Sequence, residues 1–398
     1  MTQVIKYVPR DVQYSQIGFD LVLRGMIVHP GIIETLRVIV IKGGSEIRTR
    51  VWKNGKHIAT KTPCQQPLGA MAYAACLLAI TSVEASSLPP LRLPVVCEDP
   101  YPCIIQNYFD HDPGPGFLDY SCGSLGYDGH DGTDIRLPNL TAMKRGAAVV
   151  AAAPGTVRAI RDEMPDVNVR VLGREAIAGR EAGNAVVLRH GDDWETQYSH
   201  LRLGSVRVRP GGVVKAGDVL GVIGLSGNTE FPHLHFEVRY QGEPVDPFVG
   251  PKKEISCGAS GSALWDEQTS QALSYRSTGL LQAGFGVAVP SSESVAAGNG
   301  NPGPFSPDAP ALVFWVEIFG ARAGDQENLR LIEPGGKEIA SKKALIPKNK
   351  ARWLSFAGKK RRSVAWPKGL YSATYELQRA GDRGTEAVVD VMRTIEIK

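Results

Sequence analysis

The 398-residue chain has no His-Glu-x-x-His run and no Cys-x-x-Cys pair. The first absence removes a helix that carries two metal ligands and its own carboxylate base. The second disfavours a structural zinc ribbon, leaving the six cysteines to other uses. Long apolar stretches are scarce as well: the run from Pro67 to Ile80 falls short of the roughly 20 residues a membrane-spanning helix needs. Charge of one sign is also lacking over most of the length. Residues 1 to 70 hold ten Lys and Arg against four Asp and Glu, an excess larger than the +4 of the whole chain, so the remainder is close to neutral. A near-neutral body gives no footing for a nucleic-acid partner.

What the chain has in plenty is punctuation. Its 44 Gly and 27 Pro cut a composition that is 43% hydrophobic into many short segments. Short strands are expected at 148–153, 156–160, 185–190, 195–198, 206–208, 219–223 and 233–240, with turns such as Pro154-Gly155 and Ala216-Gly217-Asp218 between them. Strand-like alternation returns at 311–319, 329–332, 351–356, 369–378 and 387–397. The expected class is mainly β: an antiparallel β-sheet domain followed by a small β-sandwich.

Three motifs carry chemistry. His130 and Asp134 stand in His-Asp-Gly-Thr-Asp, His200 in Tyr-Ser-His-Leu, and His233 and His235 in Pro-His-Leu-His-Phe-Glu. Catalytic zinc takes three ligands from His, Asp, Glu and Cys and keeps a fourth position open. Two neutral imidazoles and one carboxylate leave such a centre at net charge +1, enough to draw the pKa of bound water toward roughly 7. The Gly132-Thr133 backbone favours an extended course, on which His130 and Asp134, an even number of residues apart, share a face. The same period puts His233, His235 and Glu237 on one face and Leu234, Phe236 and Val238 on the other. Two such imidazoles need not both bind metal, because hydrolysis also needs a proton acceptor, and a spare histidine can take the place of the missing carboxylate.

In that order and context, from about Tyr127 to Phe248, the motifs resemble the lysostaphin-type (LytM-like) zinc metalloendopeptidases, which are peptidoglycan hydrolases. The resemblance implies one Zn2+ per chain held by His130, Asp134 and His235, with His200 and His233 acting in catalysis. None of the five positions is substituted. It further implies cleavage of peptidoglycan stem peptides or cross-bridges in the bacterial envelope, periplasmic or secreted. A rival reading keeps the domain but not the activity: an envelope protein that binds peptidoglycan or activates an amidase.

The organisation expected on this basis is an N-terminal extension over 1–66, a signal-peptide-like segment over 67–85, an irregular lead-in over 86–127, the zinc endopeptidase domain over 128–250, a linker over 251–310 and the β-sandwich over 311–398. Lys53, Lys56 and Lys61 precede the 67–80 run and Val83-Glu84-Ala85 follows it, an arrangement like a secretory signal in an unusual position. With that segment removed, no integral span is expected in the mature chain. Cys97, Cys103, Cys122 and Cys257 lie beyond it, and disulfides among them fit an oxidising compartment, with the pairing left open. His190 reads as a hairpin-turn residue and His111, between Asp110 and Asp112, as part of a polar loop. The excursion from Arg161 to Gly183 is long for a hairpin and reads as a groove wall or a surface loop. Trp315, Trp353 and Trp366 read as core residues.

Overall fold

The computed structural model describes residues 88–97, 104–251, 257–258, 261–298, 303–381 and 384–398 in full, and residues 6–14, 20–29, 32–43, 46–53 and 56–61 as backbone strands. The chain divides into two compact units, Met1–Glu84 and Ala85–Lys398. In the first, β1 (Lys6–Tyr14), β2 (Asp20–His29), β3 (Ile32–Gly43), β4 (Glu46–Lys53) and β5 (Lys56–Lys61) form an antiparallel meander in sequence order. The signal-like segment 67–85 lies outside the described residues. Among the described residues, no helix is long and apolar enough to cross a membrane.

The second unit is mainly β. Its largest sheet runs β12 (Val213–Val214), β9 (Gly155–Arg161), β10 (Asn184–Gly191), β11 (Trp194–Leu201), β14 (His233–Tyr240), β7 (Thr133–Arg136) and β6 (Ile104–Asn107), with β15 (Glu243–Val245) added to β14. A two-stranded sheet of β8 (Ala148–Val150) and β13 (Val219–Val222) accompanies it. All the named pairings are antiparallel, and β10 turns into β11 through Asp192-Asp193, both at positive φ, as a tight hairpin requires. Period-two alternation decides which face is core. Leu234, Phe236 and Val238 are wholly buried among Val186, Leu188 and Tyr198, which leaves His233, His235 and Glu237 for the opposite face. Val206 to Val208 is not a strand: Asp162 accepts from the Gly204 and Val206 amides and Arg207 donates to the Leu220 carbonyl, so those backbone groups are spent outside a ladder.

The C-terminal sandwich packs the sheet β16 (Gly279–Gly286), β17 (Ala311–Ala321), β20 (Lys350–Lys360) against the sheet β19 (Glu338–Leu345), β18 (Gln326–Ile332), β21 (Gly369–Gly381), β22 (Gly384–Ile397). Phe314, Val316, Ile318, Leu329, Leu331, Tyr371 and Tyr375 fill the space between them. Trp315 and Trp366 are buried, and the Trp353 indole donates to Glu327 at 2.9 Å. The expected linker over 251–310 is corrected here, because β16 lies inside it and pairs along β17 from Gly279 to Gly286. Its glycines are there for contact. A Cβ at Gly279 would stand 2.6 Å from the Phe319 ring and one at Gly284 2.9 Å from Trp315. Phe319 and Leu281 belong to the same apolar cluster as Leu234 and Phe236, so sandwich and large sheet share a core.

Candidate metal centre

Register builds the site. Asp134 on β7 faces His235 on β14, and one step along, Arg136 faces His233, so four polar side chains share one face of two adjacent strands. His130 reaches the same place by another route than the extended segment expected from sequence. It sits ahead of β7 in a turn where Gly129 takes φ +73° and the His130 amide donates to the Tyr127 carbonyl.

His200 is re-aimed by a bulge. Alternation along β11 puts Tyr198, opposite Phe236, into the core and Ser199, opposite His235, on the site face; His200 would then point into the core. Between Asn184 paired with Leu201 and Val186 paired with Tyr198, β11 carries one residue more than β10. His200 takes φ +60°, a left-handed conformation rare outside glycine, and its ring lies 4.6 Å from that of His233 and 6.0 Å from that of His235. A bulge that turns a side chain toward a site is a recurrent device.

The three atoms at the centre are His130 Nε2, His235 Nδ1 and Asp134 Oδ1, separated by 3.1 Å, 3.2 Å and 3.0 Å. Zinc bonds of about 2.0–2.1 Å in tetrahedral geometry set ligand atoms roughly 3.3 Å apart, so the triangle fits. Hydrogen positions agree. His130 Nδ1 donates to the Tyr108 carbonyl at 2.6 Å, and His235 Nε2 pairs with Asp131 at 3.2 Å. Each ring thereby points its unprotonated nitrogen into the triangle, while Asn107 donates to the other oxygen of Asp134 at 2.8 Å. Three such atoms converging at hydrogen-bond distance call for positive charge among them, which a proton on His235 or a bound cation supplies. Electrostatics make the same demand. Burial opposes the charge on Asp134, but His130 and His233 outweigh it and hold the carboxyl well below its ordinary value. Burial also opposes protonation of His235, yet Asp131 and Asp134 push it up to about 10. A divalent ion satisfies that pull by displacing the proton. Among the described residues, His130, Asp134 and His235 form the one cluster of this kind.

His200 and His233 are both held by a backbone carbonyl. His200 Nδ1 donates to the Ser226 carbonyl at 2.8 Å and His233 Nδ1 to the Phe231 carbonyl at 2.9 Å, leaving Nε2 of each ring with its lone pair. His233 Nε2 lies 3.4 Å from Asp134 Oδ1, beside the ligand triangle. Burial, followed by the neighbouring His233 and His235, holds His200 well below the ordinary imidazole value, so it is neutral at neutral pH.

Sequence reasoning did not single out the orienting partners Asn107, Asp131 and the carbonyls of Tyr108, Ser226 and Phe231. Asp131 is inside a quoted motif and was the one with a visible signal. The excursion 161–183 has its own small core of Met164, Val169 and Ile177 and braces the turn before His233: the Val169 amide donates to Thr229, Asn168 to Glu230 and the Asn228 amide to Glu181. His111 is buried and lies 2.6 Å from Asp246, so it locks two segments together. Glu237 is buried and accepts from Arg239 at 2.8 Å.

Gly132 is the tightest fit in the motif: a Cβ there would lie 2.7 Å from His235 Cε1 and 2.7 Å from the Phe236 carbonyl. Gly132→Ala is expected to push the His235 ring out of the triangle and weaken zinc at least tenfold, with about 1–3 kcal/mol of overpacking strain. Competition against a chromophoric chelator measures the first, and unchanged zinc affinity would refute the packing argument.

Residues 128–247 match the model of Peptidase family M23. Over 100 residues the chain is 36% identical to DD-carboxypeptidase/endopeptidase Mpg of Neisseria meningitidis, covering 25% of this chain and 23% of that protein. Over 119 residues it is 34% identical to murein hydrolase activator NlpD of Salmonella typhimurium, covering 30% and 25%. The chain thus spans about a quarter of the length of these curated relatives. Among solved structures it is similar to the catalytic domain of lysostaphin from Staphylococcus simulans, at 24% identity and a TM-score of 0.22, covering 35% of this chain and 85% of that one.

Proposed function

We propose that this chain, which carries a domain of peptidase family M23 over residues 128–247, is a zinc-dependent endopeptidase that hydrolyses peptide cross-links of bacterial peptidoglycan, working in the periplasm or outside the cell. The observation that carries the reading is the pairing of a converging His130, Asp134 and His235 triangle with two further imidazoles, His200 and His233, each with Nδ1 committed to a backbone carbonyl. A zinc ion bound by that triangle would supply Lewis acidity toward a carbonyl and make water a stronger acid. Everything else falls to the protein's own side chains. His233, beside Asp134, accepts the proton of the attacking water at Nε2 and returns it to the leaving amine. His200, aimed at the same space by its bulge, packs its ring 4.6 Å from that of His233 and holds it in place. Asp131 keeps His235 in the tautomer that points Nδ1 inward.

The similarity to a murein hydrolase activator supports a second reading, in which the domain binds peptidoglycan or switches on an amidase without cutting. The intact set of five side chains favours the enzyme. Incubation of the full chain with purified sacculi, with and without a chelator, separates the two. The expected result is release of uncross-linked peptide fragments that stops on chelation and resumes with zinc. Release that appears only when an amidase is added would replace the enzyme reading by the activator.

A further inference from the structure

We propose that Arg136 is a positioning residue for His233, acting through the Phe231 ring and anchored by the C-terminal sandwich. The inference rests on the reading of His233 as the proton-transfer group. Arg136 faces His233 directly across the β7 and β14 register and is only 2% exposed. A guanidinium in that position is costly. Its hydrogen-bond partners are the Gln106 side chain and the carbonyls of Leu137 at 3.2 Å and Pro138 at 3.5 Å, with no carboxylate among them. The nearby carboxylate, Glu317 on β17, is taken by Arg352 at 2.9 Å and by Gln282 at 2.9 Å. An aliphatic side chain would fill the space more cheaply. What it would not do is grip Phe231: the Arg136 guanidinium carbon sits 4.5 Å from the centre of that ring.

Phe231 is the link to chemistry. Its ring lies 4.7 Å from the His233 ring, and its carbonyl accepts the His233 Nδ1 proton at 2.9 Å, with the Thr229 hydroxyl 3.0 Å from the same nitrogen and itself donating to that carbonyl, so the placement of Phe231 bears on both the orientation and the tautomer of the imidazole. The Leu137 amide donates to the Pro232 carbonyl at 2.9 Å, closing the same strap from the other side. Gln282 on β16 then ties the strap to the sandwich, donating to the Pro138 carbonyl at 3.2 Å and accepting from Asn139 at 2.8 Å. A path of packed and hydrogen-bonded groups therefore runs from the sandwich to a ring beside the metal ligands.

The test uses the zinc-loaded full chain with nitrogen-15 labelled histidine, the His233 signals being assigned by their loss in His233→Ala. The expected wild-type spectrum shows the Nδ1-protonated tautomer. In Arg136→Met the signals should move toward a tautomeric mixture, zinc content should stay at one per chain, and kcat on a cross-linked muropeptide should fall about tenfold or more with KM within twofold. Arg136→Lys should recover part of the loss. Phe231→Leu, which leaves the buried guanidinium in place, should give the same spectral shift and covers the case in which Arg136→Met does not fold. A wild-type tautomer and wild-type kcat in folded Arg136→Met or in Phe231→Leu would overturn the proposal. Because the spectrum is read without turnover, an inactive wild-type protein with the expected tautomer response would sink the endopeptidase reading and leave the positioning role standing.

Discussion

His235→Ala is expected to abolish both stoichiometric zinc binding and hydrolysis, whereas His233→Ala keeps the zinc and loses only the hydrolysis. The two residues are one step apart on the same face of β14, so the contrast tests the geometry rather than the neighbourhood. His235 Nδ1 is one corner of the triangle with His130 and Asp134, and removing it leaves two ligands, too few to hold the ion. His233 presents Nε2 to the same space at 3.4 Å from Asp134 and has its other nitrogen committed to the Phe231 carbonyl. Loss of a general base costs on the order of 10²–10⁴ in rate, while the three ligand atoms stay in place. Metal content after gel filtration, measured beside muropeptide cleavage, reads both quantities on one sample. Equal zinc retention in the two variants would overturn this assignment of ligand and base.

The sequence makes much of this centre legible because its chemistry is written in local patterns. Alternation through His233-Leu234-His235-Phe236 needs no tertiary information to place both imidazoles opposite the core, and β14 obeys it. Alternation alone would not have brought His200 to the site, since a bulge depends on the strand opposite and Asn184 to Val186 offers no local sign of one; the resemblance carried that residue. Alternation also gives His130 a strand when the turn at Gly129 delivers the ring by a different path. Partners such as Asn107 and the Tyr108 carbonyl lie more than twenty residues from the ligands they orient, and nothing in a one-dimensional pattern joins them. The apparent linker failed for a different reason. Glycines that read as flexible punctuation in β16 are there because Phe319 and Trp315 occupy the space a side chain would need, and only the fold reveals those neighbours.

Removing the disulfide between Cys122 and Cys257 should destabilise the second unit strongly while leaving the zinc site assembled in the folded protein. The bond spans 135 residues, a loop that holds every strand of the large sheet except β6. Chain-entropy reasoning for a loop of that length gives an upper figure of about 5 kcal/mol, with about 2–4 kcal/mol typical of measured cases. For a unit running from Ala85 to Lys398 the typical figure corresponds to a fall in Tm of roughly 3–6 °C. The site should survive because the segment around Cys122 has a second anchor. The buried Asp119 accepts from the amides of Ser121, Gly123 and Leu125 and from the Tyr275 hydroxyl, while the Leu125 carbonyl accepts from the Tyr108 amide. Tyr108 in turn holds His130 through its carbonyl. Cys122→Ser with Cys257→Ser is therefore expected to melt several degrees below the parent and still to bind one zinc per chain at 10 °C. An unchanged melting point would show that the bond adds nothing to a unit already closed by its sheets. Loss of zinc in a cold, folded variant would show instead that the Asp119 anchor does not hold His130 without the covalent tie.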